Sequence, residues 1–187
     1  MTPEGKQRLL DAVGAGKGFI GFHSAADTFH SGREIDPYVA MVGGEFMGHG
    51  TQQPGRLEIT SPDFPMLEES KGEDAVMIER EEWYTFRNFG RDLHVILVQD
   101  TDALKKEHKQ DQFLHSRPPF PQTWARNEKQ GRVFYTSFGH VHDVWTTPFV
   151  ERLVLGGIAW ALGNVQAEIP ANIEQVTPGA WDVPKRS

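Results

Sequence analysis

Histidines and acidic residues stand at the ends of apolar segments in this sequence, where they could bind a metal or transfer protons. His23 directly follows the apolar run 18–22, and His140 follows a second run that begins at residue 131. Both runs are typical of buried strands, and open α/β sheets place their chemistry just beyond the carboxyl ends of strands. His49 lies between two glycines in a predicted loop, and Glu82 lies between two predicted strands. These residue types suit zinc, manganese or iron, and they also serve as general acids and bases.

The full set of candidates for chemistry is His23, His49, Glu82, Tyr84, His140 and His142, with Asp27 and Trp124 in supporting positions. No compact ligand motif such as His-Glu-x-x-His is present, so each member also has a structural interpretation. Glu81 and Glu82 could form a solvated acidic pair, and residues 140–142 a polar surface turn. Trp83, Tyr84 and Trp124 could be core or sheet-edge aromatics. The four remaining histidines are predicted to be structural: His30, His94, His108 and His115.

Composition narrows the function classes. The chain has 187 residues, a net charge of −7 and no cysteine. Scattered basic residues do not resemble a nucleic-acid interface, and the lack of cysteine excludes disulfides and thiolate chemistry. No apolar stretch approaches the roughly 20 residues that span a bilayer. We therefore expect a soluble, cytoplasmic chain as given, with any export signal upstream of Met1, and no nucleic-acid, membrane or nucleotide-cofactor partner.

The pattern along the chain predicts one domain over residues 1–165 and an irregular tail over 166–187. A helix is predicted from Pro3 to Val13 with Thr2 as its N-cap, and a longer helix over residues 149–162. Strands are predicted around residues 19–22, 56–60, 75–80, 93–99 and 131–138. Residues 101–121 are polar and end in a proline-rich segment, which favours an exposed connection.

Several segments of the sequence resemble motifs of the ThuA-like, or trehalose-utilisation, family. The segments are 18–27, 43–49, 82–84, 131–140 and the single residue Trp124, and the resemblance extends from Thr2 to Gly163. It implies a flavodoxin-like α/β sandwich related to class I glutamine amidotransferases, with a mostly parallel sheet. His23 then occupies the turn where amidotransferases carry a nucleophilic cysteine, so glutamine hydrolysis by that route is excluded. The family's first strands are expected to be absent here, which predicts an exposed sheet edge and a homo-oligomer.

The resemblance further implies a role in carbohydrate catabolism. The expected substrate is a small sugar, in particular a 3-keto glycoside such as a trehalose derivative, and the expected enzyme is a hydrolase or lyase. One divalent transition metal, zinc, manganese or iron, would be held by His23, His49 and His140. The expected catalytic residues are His23, Glu82, Tyr84 and His140, and the expected substrate contacts are Asp27, Trp83, Trp124 and His142. Two alternatives stay open: a non-catalytic carbohydrate-binding module, and an assembly subunit completed by strands of a partner.

Overall fold

The structure is a computed structural model that describes residues 1–184. Its α-helices are α1 (Pro3–Gly14), α2 (Pro37–Val42), α3 (Lys109–His115), α4 (Pro148–Ala161) and α5 (Ile173–Val176). Its strands are β1 (Gly18–Phe22), β2 (Glu45–His49), β3 (Gln53–Ile59), β4 (Ala75–Glu81), β5 (Tyr84–Arg87), β6 (His94–Gln99), β7 (Phe120–Glu128) and β8 (Gly131–Thr136). Three short 3-10 helices cover His23–Asp27, Glu68–Ser70 and His142–Thr146. None of the helices in residues 1–184 is long and apolar enough to cross a membrane.

The main sheet is mixed and mostly antiparallel, which corrects the expectation of a flavodoxin-like sandwich with a mostly parallel sheet. Its six strands run in the order β1-β8-β7-β6-β3-β4. Only β1 and β8 are parallel, and every other neighbouring pair is antiparallel. β2 and β5 form a separate antiparallel pair. The protein is therefore an α/β fold whose sheet curls into a half-barrel.

A tight turn accounts for the antiparallel pairing of β7 with β8. Parallel neighbours need a crossover of a dozen or more residues, whereas antiparallel strands can be joined by a tight turn. β7 and β8 are joined through residues 129 and 130 alone. Lys129 adopts φ 55°, in the left-handed region that such hairpin turns use. A connection of two residues is too short for the mostly parallel sheet that the family resemblance implies at this point of the chain.

The predicted amino-terminal helix is confirmed as α1, and the Thr2 hydroxyl caps it by accepting a hydrogen bond from the Gly5 N–H at 3.1 Å. The predicted strands correspond to β1, β3, β4, β6 and β8, and the longer helix corresponds to α4.

Residues 101–121 do not form the exposed connection that their polarity predicts. They contain α3 and the start of β7, and the side chains of Leu104, Leu114 and Arg117 are buried. β7 is not predicted from the sequence because it begins with Phe120-Pro121, and proline lacks the N–H that a central strand donates. The ladder between β6 and β7 is irregular next to Pro121, which accommodates this residue.

Strand direction places several carboxyl ends at one edge of the sheet. Because antiparallel pairing alternates from β8 through β7, β6 and β3 to β4, the strands β1, β8, β6 and β4 all run the same way. Glu81 at the end of β4 accepts hydrogen bonds from the N–H groups of Gly139 (3.0 Å) and Val141 (3.2 Å), beyond the end of β8. The curl of the sheet is what brings these distant strands together.

The core has a layer on each side of the sheet. One layer packs α4, through residues such as Leu153 and Trp160, against sheet residues that include Phe134. The other contains α1, α2 and the β2–β5 pair, with Phe86 and Trp124 among its largest side chains. β1 and β8, which precede His23 and His140, contribute side chains to both layers.

The segment after residue 165 packs against the domain as far as it is described. The Asn172 side chain accepts a hydrogen bond from the Val95 N–H at 2.6 Å, and the Ile173 side chain is buried. His94 contacts the Pro170 carbonyl oxygen through Nδ1 at 2.8 Å. The last residues of the expected tail, 185–187, lie outside the described residues.

Candidate active site

The carboxylate of Glu82 lies at the centre of three histidine rings. Its Oε2 atom is 3.3 Å from His23 Nε2 and 3.3 Å from His140 Nδ1, and its Oε1 atom is 3.3 Å from His49 Nδ1. The Glu82 and His23 side chains are nearly buried, whereas His49 and His140 are partly open to solvent. Solvent therefore reaches the group at His49 and His140.

The ring of His23 is held in one tautomer. Its Nδ1 lies 2.8 Å from the Ser137 carbonyl oxygen, which can only accept a hydrogen bond, so Nδ1 carries the proton in the neutral ring. Nε2 then presents a lone pair, and it is buried without a hydrogen-bond partner among the described residues. A lone pair that faces a carboxylate oxygen at 3.3 Å is repulsive unless a cation, a proton or a metal ion, is shared between the two atoms.

Backbone geometry after β1 and β8 directs His23 and His140, which follow these strands, toward each other. His23 adopts φ 41°, an uncommon left-handed conformation for a residue other than glycine and one that is often found at functional sites. Gly139 adopts φ 139°, and a Cβ atom there would lie 2.9 Å from the Trp145 ring. Because β1 and β8 are parallel neighbours, these two turns bring the His23 and His140 rings to 5.4 Å between centroids.

The carboxylate of Glu81 contacts backbone N–H groups, unlike that of its neighbour Glu82. Glu81 is fully buried, and its carboxylate accepts hydrogen bonds from three backbone N–H groups: Glu82 (2.8 Å), Gly139 (3.0 Å) and Val141 (3.2 Å). The carboxylate thereby ties the segment that carries Glu82 to the loop that carries His140. Charge-assisted hydrogen bonds of this kind are stronger than neutral ones. Glu81 is a positioning residue, and the interpretation of residues 81 and 82 as a solvated pair is wrong.

Tyr84 and His49 reach the site through the β2–β5 pair, in which they lie opposite each other. The Tyr84 ring lies 4.0 Å from the His23 ring and 4.2 Å from the Phe46 ring, measured between centroids. Burial, and then the negative charge of Glu82, raise the pKa of Tyr84 well above its ordinary value. The phenol therefore stays protonated and can donate a hydrogen bond.

The donor atoms of His23, Glu82 and His140 lie within 4.8 Å of one another, close enough to share one metal ion. His49 is not part of this group. Its Nδ1 atom also lies 3.0 Å from the Gly50 carbonyl oxygen, so in the neutral ring Nδ1 donates and Nε2 is the basic atom. This group of neighbouring donor atoms contains Glu82 and not His49, whereas the sequence predicts His23, His49 and His140 as ligands.

The sequence profile of a family described as "Trehalose utilisation", ThuA, matches residues 1–161. The chain belongs to the ThuA family.

Two solved structures of ThuA-like proteins resemble the fold. One is a putative ThuA-like protein from Bacteroides uniformis, with a TM-score of 0.70 and 20% identity over 86% of this chain. The other is from Parabacteroides merdae, with a TM-score of 0.62 and 17% identity over 91% of this chain. The chain spans 64% of the first protein and 69% of the second. A search of curated proteins finds no match.

Other residues that the sequence points to lie outside the cluster of this ThuA chain. Trp83 and Trp124 are fully buried, and their indole N–H groups donate to the carbonyl oxygens of Gln53 and Val42. Neither tryptophan offers a ring face to a sugar in this structure, so the core interpretation describes both. The His142 side chain is 94% exposed, and its Nδ1 atom lies 3.6 Å from Asp143.

Asp27 lies near the cluster without contacting Glu82. It ends the 3-10 helix that begins at His23, and its Oδ1 atom is 3.0 Å from Nε2 of His30. Both residues line a neighbouring cavity.

Two residues that sequence reasoning does not select matter to this site. The first is Glu81, because nothing in a Glu-Glu pair shows which carboxylate faces inward. The second is Trp145, a partly exposed ring that packs against Phe22 at 5.3 Å and covers Gly139. Its position in the turn after His140 is the signal that could have identified it.

Proposed function

We propose that this ThuA protein binds one divalent transition metal with His23, His140 and Glu82 and uses the site to cleave a 3-keto glycoside. The observation that carries the proposal is the contact of His23 with Glu82. A buried, unpaired Nε2 lone pair faces a carboxylate oxygen at 3.3 Å, and His140 Nδ1 lies equally close to the same oxygen. Two imidazoles and a carboxylate are a ligand set that suits zinc, manganese or iron.

The surroundings of the ligands support a metal centre. Histidines that bind metals usually donate their second ring N–H to a carbonyl or carboxylate, as His23 does to Ser137. Glu81 holds the backbone on both sides of the group in a fixed arrangement. When bound, the metal would supply a Lewis acid that polarises a carbonyl oxygen.

The remaining residues are suited to proton transfer next to a polarised carbonyl. In a 3-keto sugar, the hydrogen on C2 is acidic, and the Nε2 atom of His49 would remove it as a proton. Tyr84 would donate a hydrogen bond to an oxygen of the substrate. The electron pair left on C2 forms the C1–C2 double bond as the glycosidic C1–O bond breaks, and the departing oxygen takes up the proton. Addition of water to C1 completes a net hydrolysis that needs no oxidant.

The family description, trehalose utilisation, supports a disaccharide of glucose as the parent substrate. The partly exposed rings of His49 and His140 leave the Glu82 cluster open to a substrate from solvent. Trp145, beside the loop of His140, is an aromatic surface that could stack on a sugar face in place of the buried tryptophans.

The first test measures bound metal. The full chain, its His23→Ala and Glu82→Gln variants, and a His108→Ala control at an exposed histidine would be loaded with Zn²⁺, Mn²⁺ or Fe²⁺ and examined by elemental mass spectrometry. We expect about one equivalent in the wild type and the control and loss in the other two. Folded wild-type protein that retains no metal would overturn the metal centre.

The second test measures turnover. The wild-type protein should convert 3-ketotrehalose to glucose and 3-ketoglucose, and trehalose itself should not react because its C2 hydrogen is not acidified. Exchange of the C2 hydrogen with deuterium from solvent water, followed by NMR, would report proton abstraction directly. Binding of the keto sugar without consumption or exchange would favour the non-catalytic binding module instead.

A further inference from the structure

Tyr135, a tyrosine of β8, forms a hydrogen bond with the backbone of His23. Its hydroxyl donates to the His23 carbonyl oxygen at 2.8 Å. The Tyr135 side chain is fully buried, and a buried hydroxyl that lacked a partner would be costly. Tyr135 has no part in the metal binding or the proton transfer proposed above, so this contact calls for a separate explanation.

The pairing of β1 with β8 explains how the Tyr135 ring reaches the turn after β1. The parallel register places Tyr135 opposite Gly21, two residues before His23. A Cβ atom on residue 21 would lie 3.1 Å from Cδ2 of Tyr135, closer than an ordinary van der Waals contact. Glycine at this position therefore leaves room for the Tyr135 ring to extend toward the carbonyl group of residue 23.

The Tyr135 hydroxyl is a fixed donor. Its ring packs on Trp124 at 4.4 Å and meets the edge or face of Phe86 at 5.8 Å, measured between centroids, so the core holds the ring in place. Burial raises the pKa of Tyr135 well above its ordinary value. The phenol thus stays protonated near neutral pH, and the hydrogen bond to the His23 carbonyl oxygen is retained.

His23 needs such a constraint because of its backbone conformation. A residue other than glycine rarely adopts φ 41°, and such a conformation persists only where surrounding contacts maintain it. Two hydrogen bonds connect His23 to β8 and the residue that follows it. Tyr135 holds the carbonyl group, and the Ser137 carbonyl oxygen accepts from ring Nδ1 at 2.8 Å. Backbone and ring are therefore both fixed, which leaves Nε2 at 3.3 Å from Glu82 Oε2.

We propose that Tyr135 is a positioning residue that keeps the His23 backbone in its left-handed conformation and thereby directs Nε2 toward Glu82. The inference rests on the proposed function only where it concerns a metal bound by Nε2, because the orientation of the His23 ring does not depend on a metal. It implies that one buried hydroxyl, which is not itself a ligand, contributes to metal affinity.

Tyr38 on α2 provides a matched control. Its side chain is 4% exposed and belongs to the same core layer as Tyr135. Its hydroxyl donates to the Ala25 carbonyl oxygen at 3.0 Å, on the same 3-10 helix that begins at His23. Tyr38→Phe and Tyr135→Phe each remove one hydroxyl and keep the ring. Both variants therefore lose a hydrogen bond to the same short helix, but only Tyr135→Phe loses one to His23.

The first experiment compares stability with Zn²⁺ affinity in the full chain. Thermal melts should show a similar decrease of about 2 to 4 °C in the melting temperature of both variants, as expected for the loss of one hydrogen bond. Competition against a chelator should show an affinity about tenfold lower in Tyr135→Phe and a wild-type affinity in Tyr38→Phe. Wild-type affinity in Tyr135→Phe, or equal losses in both variants, would overturn the positioning role.

The second experiment observes the His23 ring without a metal. In metal-free protein labelled with ¹⁵N in histidine, the Nδ1–H signal of His23 would be assigned by its loss in His23→Ala. Exchange of this proton with water should be about tenfold faster in Tyr135→Phe and unchanged in Tyr38→Phe. Unchanged exchange in Tyr135→Phe would overturn the proposal, as would exchange in the wild type as fast as at the exposed His108.

The two experiments separate this inference from the proposed function. If the wild type binds no Zn²⁺, the proposed metal centre fails, and the exchange rates of the His23 Nδ1–H alone decide the role of Tyr135. If the wild type binds Zn²⁺ and Tyr135→Phe binds it equally well, the metal centre stands and the positioning role fails.

Discussion

Two regions of this protein combine histidine with a carboxylate, and they behave differently. In one, Glu82 lies among three histidine rings. In the other, Asp111 lies beside the buried His115 on α3. The two regions are adjacent in the fold, because a Cβ atom on Gly50, the residue after His49, would lie 2.3 Å from Asp111 Oδ1 and 2.5 Å from the His115 ring.

The difference lies in what occupies the carboxylate oxygens. Asp111 accepts hydrogen bonds from the Thr51 N–H at 2.7 Å and the Thr51 hydroxyl at 2.9 Å, so both of its oxygens are satisfied within the protein. Burial acts to raise the pKa of Asp111, but these hydrogen bonds lower it overall. Glu82 has no backbone donor of this kind among the described contacts and faces ring nitrogens instead. Residue types alone therefore do not distinguish a structural pair from a site.

The largest effect should come from Glu82→Gln, which keeps the shape of the side chain and removes its charge. We expect loss of bound metal and a decrease of 10²- to 10⁴-fold, roughly, in turnover of 3-ketotrehalose, as is common when an acid-base or ligand group is lost. Elemental analysis and steady-state kinetics would measure both quantities. Near-normal turnover would show that Glu82 has no role in the reaction, and Glu82 would then not differ in function from Asp111.

The next effect should come from Glu81→Gln, because an amide NH₂ group cannot accept the backbone hydrogen bonds that the second carboxylate oxygen accepts. Metal affinity should fall by about 10- to 100-fold, as it does for other groups that orient ligands. Glu79→Gln, at an exposed position on the same strand, is the control. A competition titration against a chelator would report the affinity, and unchanged affinity in folded Glu81→Gln protein would contradict the positioning role.

Asp111→Asn should give the reverse pattern. The free energy of unfolding should decrease by about 1 to 3 kcal/mol, because a buried charge-assisted hydrogen bond to Thr51 is weakened. Metal content and turnover should stay at the wild-type level. Urea denaturation and elemental analysis on the same preparations would show whether the two regions are independent. Loss of metal in the folded Asp111→Asn variant would instead show that the Asp111 region and the Glu82 cluster belong to one site.

The smallest effect concerns pH. Burial lowers the pKa of His115 below its usual value of 6.5, although Asp111 acts to raise it. Below about pH 6.5, the unfolded chain therefore binds more protons at His115 than the folded chain does. The contribution of the neutral His115 to the free energy of unfolding is thus present above that pH and is lost as the pH falls toward the pKa of the folded state. His115→Gln should lose less stability between pH 8 and pH 5 than the wild type, in urea melts with His108→Gln as the control. An identical loss of stability in His115→Gln and the wild type would show that His115 does not contribute to the pH dependence in this way.

Much of the local structure could be predicted because it depends on short patterns. Thr2 and Pro3 start α1, and the apolar run before His23 forms β1. The placement of a histidine beyond each of two buried strands also follows from the sequence, and the parallel pairing of β1 and β8 brings both together. β7 could not be predicted, since Pro121 disfavours a central strand and only the flanking ladders on both sides accommodate it.

The sequence by itself determined the chemical inventory of this protein: histidines and glutamate at strand ends, no cysteine, and the motifs of the ThuA family. Only the tertiary structure decided how that inventory is used. The curl of a mostly antiparallel sheet placed Glu82 between His23 and His140 and turned Glu81 toward backbone donors. It also buried Trp83 and Trp124 in the core. Local sequence specifies the conformation of a strand, but contacts between strands that are far apart in the chain decide which of two adjacent carboxylates faces the site.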